Sequence, residues 1–335
     1  MWAWLELLRL PNLFTVPGDA VAGYVLASGG QLRPPAVLLA GTAGLALYCS
    51  GLILNDLRDC AEDSIWRPER PLPSGRISRE KAAVVMAILF AVGLLAAAAA
   101  GIRPLLVALA LAVGVIIYNS GLKSVPGVGA LIMGLCRALN VLLGAAAVPY
   151  GAGTAPALVG AGILGLYIAV VTQAARAESH PELAQGAAWA VPLVVGVGFV
   201  MMLAFVWTSP AAGVVGFLCL WAAAFALSFV PWLLLESRHY VYLPRFFLRA
   251  LALPHRFPSP PEGVPGPSGF LPTRDAELVA RLRRESISLL VSLLLLMQAA
   301  LVVGRGQTPA AWAAGGVLLA AWGANRLAAR WIAGS

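Results

Sequence analysis

Three aspartates are the first residues in this chain whose spacing could support chemistry. Asp56, Asp59 and Asp63 stand at positions i, i+3 and i+7 directly after a long apolar run. If the helix predicted for that run continues, the three carboxylates share one face, and Asn55 adds a neutral oxygen at its edge. Because like charges on one face repel, the cluster favours a bound cation. Oxygen-only ligands suit Mg²⁺, which keeps water molecules and shares phosphate oxygens.

Arginines follow the aspartates closely in sequence. Arg67, Arg70 and Arg76 could bind the remaining oxygens of a diphosphate, because guanidinium groups match phosphate geometry. A second interpretation is a solvated loop in which acids and arginines pair with one another. The spacing of three carboxylates on one face at the end of an apolar helix favours the metal and diphosphate site.

The composition places these residues in a membrane protein. Of 335 residues, 60% are hydrophobic and 11% are charged, whereas soluble domains carry about 25% charged residues. A chain with so little charge cannot cover a surface that faces water, so lipid must be its solvent. The four cysteines have no metal-ligand spacing and argue against a disulfide scaffold or a zinc site.

Ten apolar runs could each supply a spanning helix of roughly 20 residues. The sequence therefore predicts an all-α, polytopic membrane bundle of nine to ten transmembrane helices, since the last run is short before its arginines. It predicts a single domain over residues 1–335, an interfacial segment over 1–12, and a flexible cytoplasmic loop at about 236–286, rich in Pro and Gly. The runs lie near 13–29, 36–54, 82–100, 104–118, 126–148, 156–175, 187–207, 210–235, 287–304 and 309–331.

The distribution of basic residues predicts an orientation. With the N-terminus inside and ten crossings, all Lys and Arg residues but four fall on the inner side. The exceptions are Arg33, Arg103 and Arg305 in outer loops and Arg137 within the membrane. This bias favours a cytoplasmic location for the aspartates, in a bacterial-type inner membrane.

The longest motif resembles a known family. The pattern N-D-x-x-D-x-x-x-D over 55–63, followed by R-P-x-R-P-L-P-S-G-x-I-S, resembles the first aspartate motif of the UbiA superfamily of intramembrane prenyltransferases. Residues 7–27 are similar to the family's opening helix, and residues 118–123 (YNSGLK) to its Tyr–Lys turn after the fourth helix. The CRALN…LLG run is similar to a bacterial branch that includes EboC-type proteins, which weakens assignment to a simple aromatic acceptor.

The resemblance implies a helical bundle around a central cavity that is open to lipid. A polyprenyl diphosphate would bind at the cytoplasmic mouth, and ionisation of its C–O bond would leave an allylic cation that a small polar or aromatic acceptor attacks. It implies Asp56, Asp59 and Asp63 as catalytic Mg²⁺ ligands. Lys123 is implied as a catalytic residue that also binds the diphosphate, together with Asn55, Arg67 and Arg70.

The family's second acidic motif is altered in this chain. Where D-x-x-x-D is expected after the sixth helix, Glu178 and Glu182 form E-x-x-x-E. They are candidate ligands for a second Mg²⁺, with longer side chains than the family pattern has. Because Mg²⁺ demands strict geometry, the alternative of two surface glutamates in a short loop remains open.

Three polar residues are predicted to lie within the membrane. Arg137 and Asn140 share one face of the fifth predicted helix, and Asp19 lies in the first. Ionisable groups at membrane depth are costly and usually face a cavity or a partner. The residues could form an ion pair that holds helices together, or they could line the acceptor pocket.

Two other functions are compatible with a membrane protein of this kind. Another lipid-phosphate transferase is one, but the D-G-x-x-A-R pattern of CDP-alcohol phosphotransferases is absent, because Leu57 and Arg58 follow Asp56. A non-catalytic lipid-binding or transport protein is the other, although it would leave a full aspartate motif idle. The expected partners are membrane lipids and the two substrates, with no nucleic acid and no inferable protein partner.

Overall fold

All regular elements of the described residues are helical. The computed structural model describes residues 2–125, 127–176, 187–236 and 273–331. Two 3₁₀ turns, Leu122–Ser124 and Gly151–Gly153, connect α-helices there. The α-helices are α1 (Trp2–Leu7), α2 (Leu10–Leu13), α3 (Val16–Ala27), α4 (Pro34–Trp66), α5 (Arg79–Ala100), α6 (Ile102–Asn119), α7 (Val128–Ala146), α8 (Ala155–Arg176), α9 (Ala187–Val206), α10 (Ala211–Glu236), α11 (Thr273–Arg305) and α12 (Pro309–Trp331).

The ten predicted spanning runs coincide with α3 to α12, which confirms an all-helical bundle. Among the described residues, seven helices are long and apolar enough to cross a membrane: α4, α5, α6, α7, α8, α10 and α11. Helix α9 contains a shorter apolar stretch, Ala190–Val206. The count of nine to ten crossings stays a prediction. Most of the predicted 236–286 loop, residues 237–272, lies outside the described residues.

Helix α4 carries the aspartates beyond its apolar part. It begins at Pro34 and continues without a break to Trp66. Its 33 residues give a length of about 50 Å, which exceeds a hydrocarbon core of about 30 Å. The helix therefore has the length to span the membrane and still present its last turns at one end of the bundle. Asp56, Asp59 and Asp63 lie on those turns.

Helix α11 is the central helix of the bundle. Its residues from Leu289 to Val303 are almost all buried, and it packs against α3, α8, α10 and α12. Aromatic side chains of neighbouring helices fill the space around it. The Phe217 and Trp221 rings of α10 are 5.1 Å apart, and Tyr167 of α8 donates a hydrogen bond to Leu290 O at 2.7 Å.

Small residues allow α3 and α7 to approach closely. A Cβ atom added at Gly23 would lie 1.9 Å from Val141 O, and one added at Gly144 would lie 2.0 Å from Ala20 O. Any larger side chain at either position would separate the helices. This contact brings the polar residues of α3 and α7 within hydrogen-bonding distance.

The N-terminal segment packs against the aspartate-bearing end of α4. Leu7 is buried in a cluster with Ile53 of α4 and with Leu72 and Ile77 of the following loop. Trp2 is 68% exposed. The segment is therefore anchored by its apolar side chains, while Trp2 faces outward, as suits an interfacial position.

Candidate active site

Lys123 joins two members of the predicted cluster. Its Nζ donates a hydrogen bond to Asn55 Oδ1 at 3.0 Å, and it forms a short ion pair with Asp59 Oδ1. Asn55 Nδ2 donates in turn to Asp59 Oδ2 at 3.1 Å. Residues more than 60 positions apart are thus brought together, as the predicted diphosphate site requires. The role of each residue stays a prediction.

The other two aspartates also have basic partners. Arg9 Nη2 lies 3.2 Å from Asp56 Oδ1, and Arg70 Nη1 lies 2.8 Å from Asp63 Oδ2. Asp56 and Asp63 are buried, each less than 10% exposed. Each carboxylate of the cluster is therefore neutralised by a different cation.

A compact loop after α4 directs Arg70 back toward the helix. Its turns are closed by hydrogen bonds from Ser74 N to Arg70 O at 3.0 Å and from Ile77 N to Pro71 O at 3.0 Å. Gly75 has a φ of 72°, a left-handed conformation that glycine adopts without strain. The motif's prolines and glycine thus shape the turn that places Arg70 over Asp63.

The two other arginines of the motif have different surroundings. Arg67 is exposed, and its side chain forms no ion pair with a described residue. Arg76 donates to both Glu6 carboxylate oxygens at 2.8 and 3.1 Å. These hydrogen bonds raise the pKa of Arg76 above its ordinary value. Arg76 therefore anchors the N-terminal segment, whereas Arg67 is available at the surface.

The turn between α6 and α7 positions Lys123. Helix α6 ends at Asn119, and Gly121 adopts a φ of 116° before the 3₁₀ turn Leu122–Ser124. Asn119 is buried, and its Nδ2 donates to Val115 O at 2.9 Å. The turn holds the lysine at the end of the bundle that carries the aspartates.

The oxygen donors suit Mg²⁺ only if other ligands complete its shell. No three His, Cys, Asp or Glu side chains of the described residues are grouped closely enough to hold one ion. Mg²⁺ commonly binds one or two carboxylates and takes its other ligands from phosphate and water. The aspartates and Asn55 fit that manner of binding. Glu178 and Glu182 lie outside the described residues.

The predicted intramembrane polar residues form one buried group. Arg137 Nε lies 2.8 Å from Asp19 Oδ2, and Asn140 Nδ2 donates to the same oxygen at 2.8 Å. Asp19 is completely buried. The predicted ion pair between α3 and α7 is therefore present in the structure.

Gln298 of α11 completes this group and is not among the residues predicted from the sequence. Its Nε2 donates to Asp19 Oδ1 at 2.7 Å and to Thr15 O at 2.9 Å. Arg137 Nη2 also donates to Thr15 O, at 2.7 Å. The available signal was a lone amide in the run LLLLMQAALVV. Arg9 was also missed as a site residue, because it was counted only as a positive charge near the membrane.

Tyr48 of α4 interacts with one residue of each polar group. It contacts the Asn12 side chain and is within electrostatic reach of both Arg9 and Arg137.

Comparisons with known proteins agree with this architecture. Residues 19–246 match the UbiA prenyltransferase family. A digeranylgeranylglyceryl phosphate synthase from Methanoculleus marisnigri is 33% identical over 217 residues, which cover 61% of this chain and 72% of the relative. The enzyme of that name from Sulfolobus acidocaldarius is 37% identical over 142 residues, 42% of this chain and 51% of the relative.

Several matches extend over only part of the relatives. The chain spans about half the length of several curated relatives that it matches. Among solved structures, a UbiA homolog from Archaeoglobus fulgidus bound to GPP and Mg²⁺ aligns with a TM-score of 0.54 at 15% identity. That alignment covers 85% of this chain and 99% of the homolog. It shows a shared fold.

Proposed function

Because this chain belongs to the UbiA prenyltransferase family, an integral membrane family, we propose that it transfers a prenyl group from a polyprenyl diphosphate to a small acceptor. The observation that carries this proposal is the convergence of Asn55, Asp59 and Lys123 at one end of the bundle. Carboxylates bordered by cations suit a diphosphate, because the carboxylates can bind its metal ion and the cations can bind its oxygens. The long apolar helices behind it suit a prenyl chain.

We also propose that Mg²⁺ is the cofactor. Asp56, Asp59 and Asp63 are its candidate protein ligands, of which one or two would bind the ion while diphosphate oxygens and water complete its shell. Glu178 and Glu182 are candidate ligands of a second ion. When bound, Mg²⁺ neutralises the charge that develops on the departing diphosphate. The structure of the homolog bound to GPP and Mg²⁺ supports this assignment.

The basic side chains would act on the leaving group. Lys123, Arg70 and Arg67 carry positive charges that can hold diphosphate oxygens as the C–O bond of the prenyl donor breaks. The bond electrons leave with the diphosphate, and the remaining allylic cation is attacked by a lone pair of the acceptor. The acceptor then loses a proton, so the products are the prenylated acceptor, diphosphate and H⁺. The apolar helices exclude water, which would otherwise quench the cation.

The acceptor is proposed to carry a glyceryl phosphate group. This assignment is supported by the names of the archaeal relatives, which are digeranylgeranylglyceryl phosphate synthases. The comparisons favour this group over the EboC-type branch. A polar acceptor agrees with the sequence-based expectation, and an aromatic one loses support. Asp19, Arg137 and Asn140 remain candidate residues of the acceptor pocket.

Two finer features of the architecture also belong to this proposal. Helices α3, α9 and α12 are proposed to complete a set of nine to ten crossings. The aspartate end is proposed to face the cytoplasm of a bacterial-type cell membrane, as the distribution of basic residues favours.

Replacement of Asp59 by Asn tests the proposed function. The change keeps the side-chain shape and removes the charge, so we expect loss of Mg²⁺-dependent prenyl transfer in a protein that still folds. Glu62→Gln is the matched control, because Glu62 is an exposed carboxylate on the same helix. Transfer is measured as prenylated lipid formed from geranyl diphosphate and a glyceryl phosphate lipid.

The outcomes separate the functions considered. Full activity of Asp59→Asn would show that the aspartate motif takes no part in the reaction. Diphosphate release without prenylation of any acceptor would indicate another lipid-phosphate reaction. Binding without turnover by the wild-type protein would indicate a non-catalytic lipid-binding role.

A further inference from the structure

Arg9 has a backbone conformation that side chains rarely adopt. Its φ is 50° and its ψ is 58°, in the left-handed region. Arg9 and Tyr150 are the non-glycine residues with positive φ among those described. Such a conformation costs free energy and persists only where the surrounding structure imposes it. Arg9 is therefore held in this position by its neighbours.

Contacts on both sides of Arg9 impose that position. Before it, Glu6 accepts two hydrogen bonds from Arg76, and Leu7 is buried against the end of α4. After it, Thr15 O accepts hydrogen bonds from α7 and α11. The segment between these anchors crosses the end of the bundle where the aspartates lie.

The Arg9 side chain points to the aspartate cluster and is mostly uncommitted. Its Nη2 donates to Asp56 Oδ1 at 3.2 Å. No other hydrogen bond joins the Arg9 side chain to a described residue. A guanidinium has five N–H donors in a planar fork. The side chain is 22% exposed, so it is neither sealed in the core nor free in solvent.

We propose that Arg9 is a further diphosphate-binding residue, which the N-terminal segment holds beside Asp56 and which acts together with Lys123 and Arg70. This inference rests on the proposed function. In the absence of substrate Arg9 pairs with Asp56, and in its presence the remaining N–H groups hold diphosphate oxygens. The alternative is that Arg9 serves only as the counter-ion of Asp56.

The variants Arg9→Gln and Arg9→Lys distinguish these roles. The probe is geranyl diphosphate with saturating Mg²⁺, and its equilibrium affinity is measured on the full-length protein in lipid nanodiscs. Because charge-assisted hydrogen bonds to phosphate are strong, Arg9→Gln should weaken binding about tenfold. Arg9→Lys should retain part of the affinity. Inorganic pyrophosphate, used as a competitor, should lose affinity by the same factor, because the contact is to the diphosphate and not to the prenyl chain.

Arg103→Gln is the matched control. Arg103 is an exposed arginine that stacks on the Tyr150 ring, 4.2 Å from its centroid, on the α5–α6 side of the chain away from the aspartates. Its replacement should leave the affinity unchanged. Equal affinity of wild type and Arg9→Gln for geranyl diphosphate and for pyrophosphate would overturn the inference and leave Arg9 as a counter-ion. Absence of Mg²⁺-dependent binding by the wild-type protein would overturn the proposed function itself.

Discussion

At the residue scale, the aspartates of α4 each have a basic partner from a different segment. The partner of Asp56 is Arg9, in the link between α1 and α2. The partner of Asp59 is Lys123, in the turn between α6 and α7, and the partner of Asp63 is Arg70, in the loop after α4. Three buried or half-buried carboxylates would otherwise repel one another strongly. The pairing offsets this repulsion, and it surrounds the carboxylates with cations that can exchange partners when an anion binds.

Lys123 contacts both Asn55 and Asp59, so its charge should matter to turnover. We expect Lys123→Gln to reduce kcat/KM for prenyl transfer by roughly 10- to 100-fold, the loss of one charge-assisted interaction of about 1.5–3 kcal/mol. Lys81→Gln is the control, since Lys81 is an exposed lysine at the start of α5. Unchanged kcat/KM in Lys123→Gln, with normal folding, would restrict this lysine to a structural role.

The sequence predicted the α4 part of this cluster because that part is local. Asn55, Asp56, Asp59 and Asp63 share one helix, and helical periodicity alone places them on one face. Arg9 could not be found in the same way. It is 47 residues from Asp56 and lies in a break between two short helices, where no periodicity indicates the direction of a side chain.

At the element scale, the Asp19 group joins three helices. Asp19 is on α3, Arg137 and Asn140 are on α7, and Gln298 is on α11, the central helix. The hydrogen bonds that Asp19 accepts come from side chains of these helices, namely Asn140 and Gln298. A completely buried carboxylate with its oxygens occupied favours the structural interpretation over recognition of an acceptor.

Two substitutions of Arg137 decide between these interpretations. Arg137→Leu leaves Asp19 buried without its cation, so we expect a loss of about 3–5 kcal/mol of folding free energy. If the group is structural, Arg137→Lys should recover much of that stability and transfer at the wild-type rate per folded molecule. If the group binds the acceptor, the lysine variant should fold but show a raised KM for the acceptor, because a lysine cannot reproduce the planar fork.

Melting temperature and acceptor KM are measured together on both variants. Affinity for the prenyl diphosphate serves as the internal control, because that ligand is expected at the aspartate site. A wild-type melting temperature of Arg137→Leu would contradict both the ion-pair lock and the cost assigned to it.

The order of the helices was predictable, and their packing was not. Each apolar run became a helix because backbone groups in lipid must satisfy their hydrogen bonds internally. Which helices touch depends on side-chain shape, as at Gly23 and Gly144 between α3 and α7. The sequence alone does not indicate the role of the Gln298 amide, because its contact with Asp19 depends on how α11 packs against α3.

At the scale of the whole molecule, the two ends of the bundle differ in charge. The aspartate end collects Arg9, Arg70, Arg76 and Lys123. The opposite end carries three arginines at or beside helix ends away from the site, namely Arg33, Arg103 and Arg305. Because basic residues are retained on the cytoplasmic side of a membrane, this difference supports the proposed cytoplasmic orientation of the aspartate end.

The orientation can be tested with single cysteines at the two ends of α4. Gln31 precedes this helix and Glu69 follows it, and both side chains are exposed. In a background whose four native cysteines are replaced, we expect Glu69→Cys to be protected from a membrane-impermeant maleimide in right-side-out vesicles and labelled in inverted ones. Gln31→Cys should show the reverse, because a single crossing by α4 separates the two positions. Labelling of both cysteines in one type of vesicle would show that α4 does not cross. The reversed pattern would place the aspartates, and the diphosphate they are proposed to bind, on the outer side.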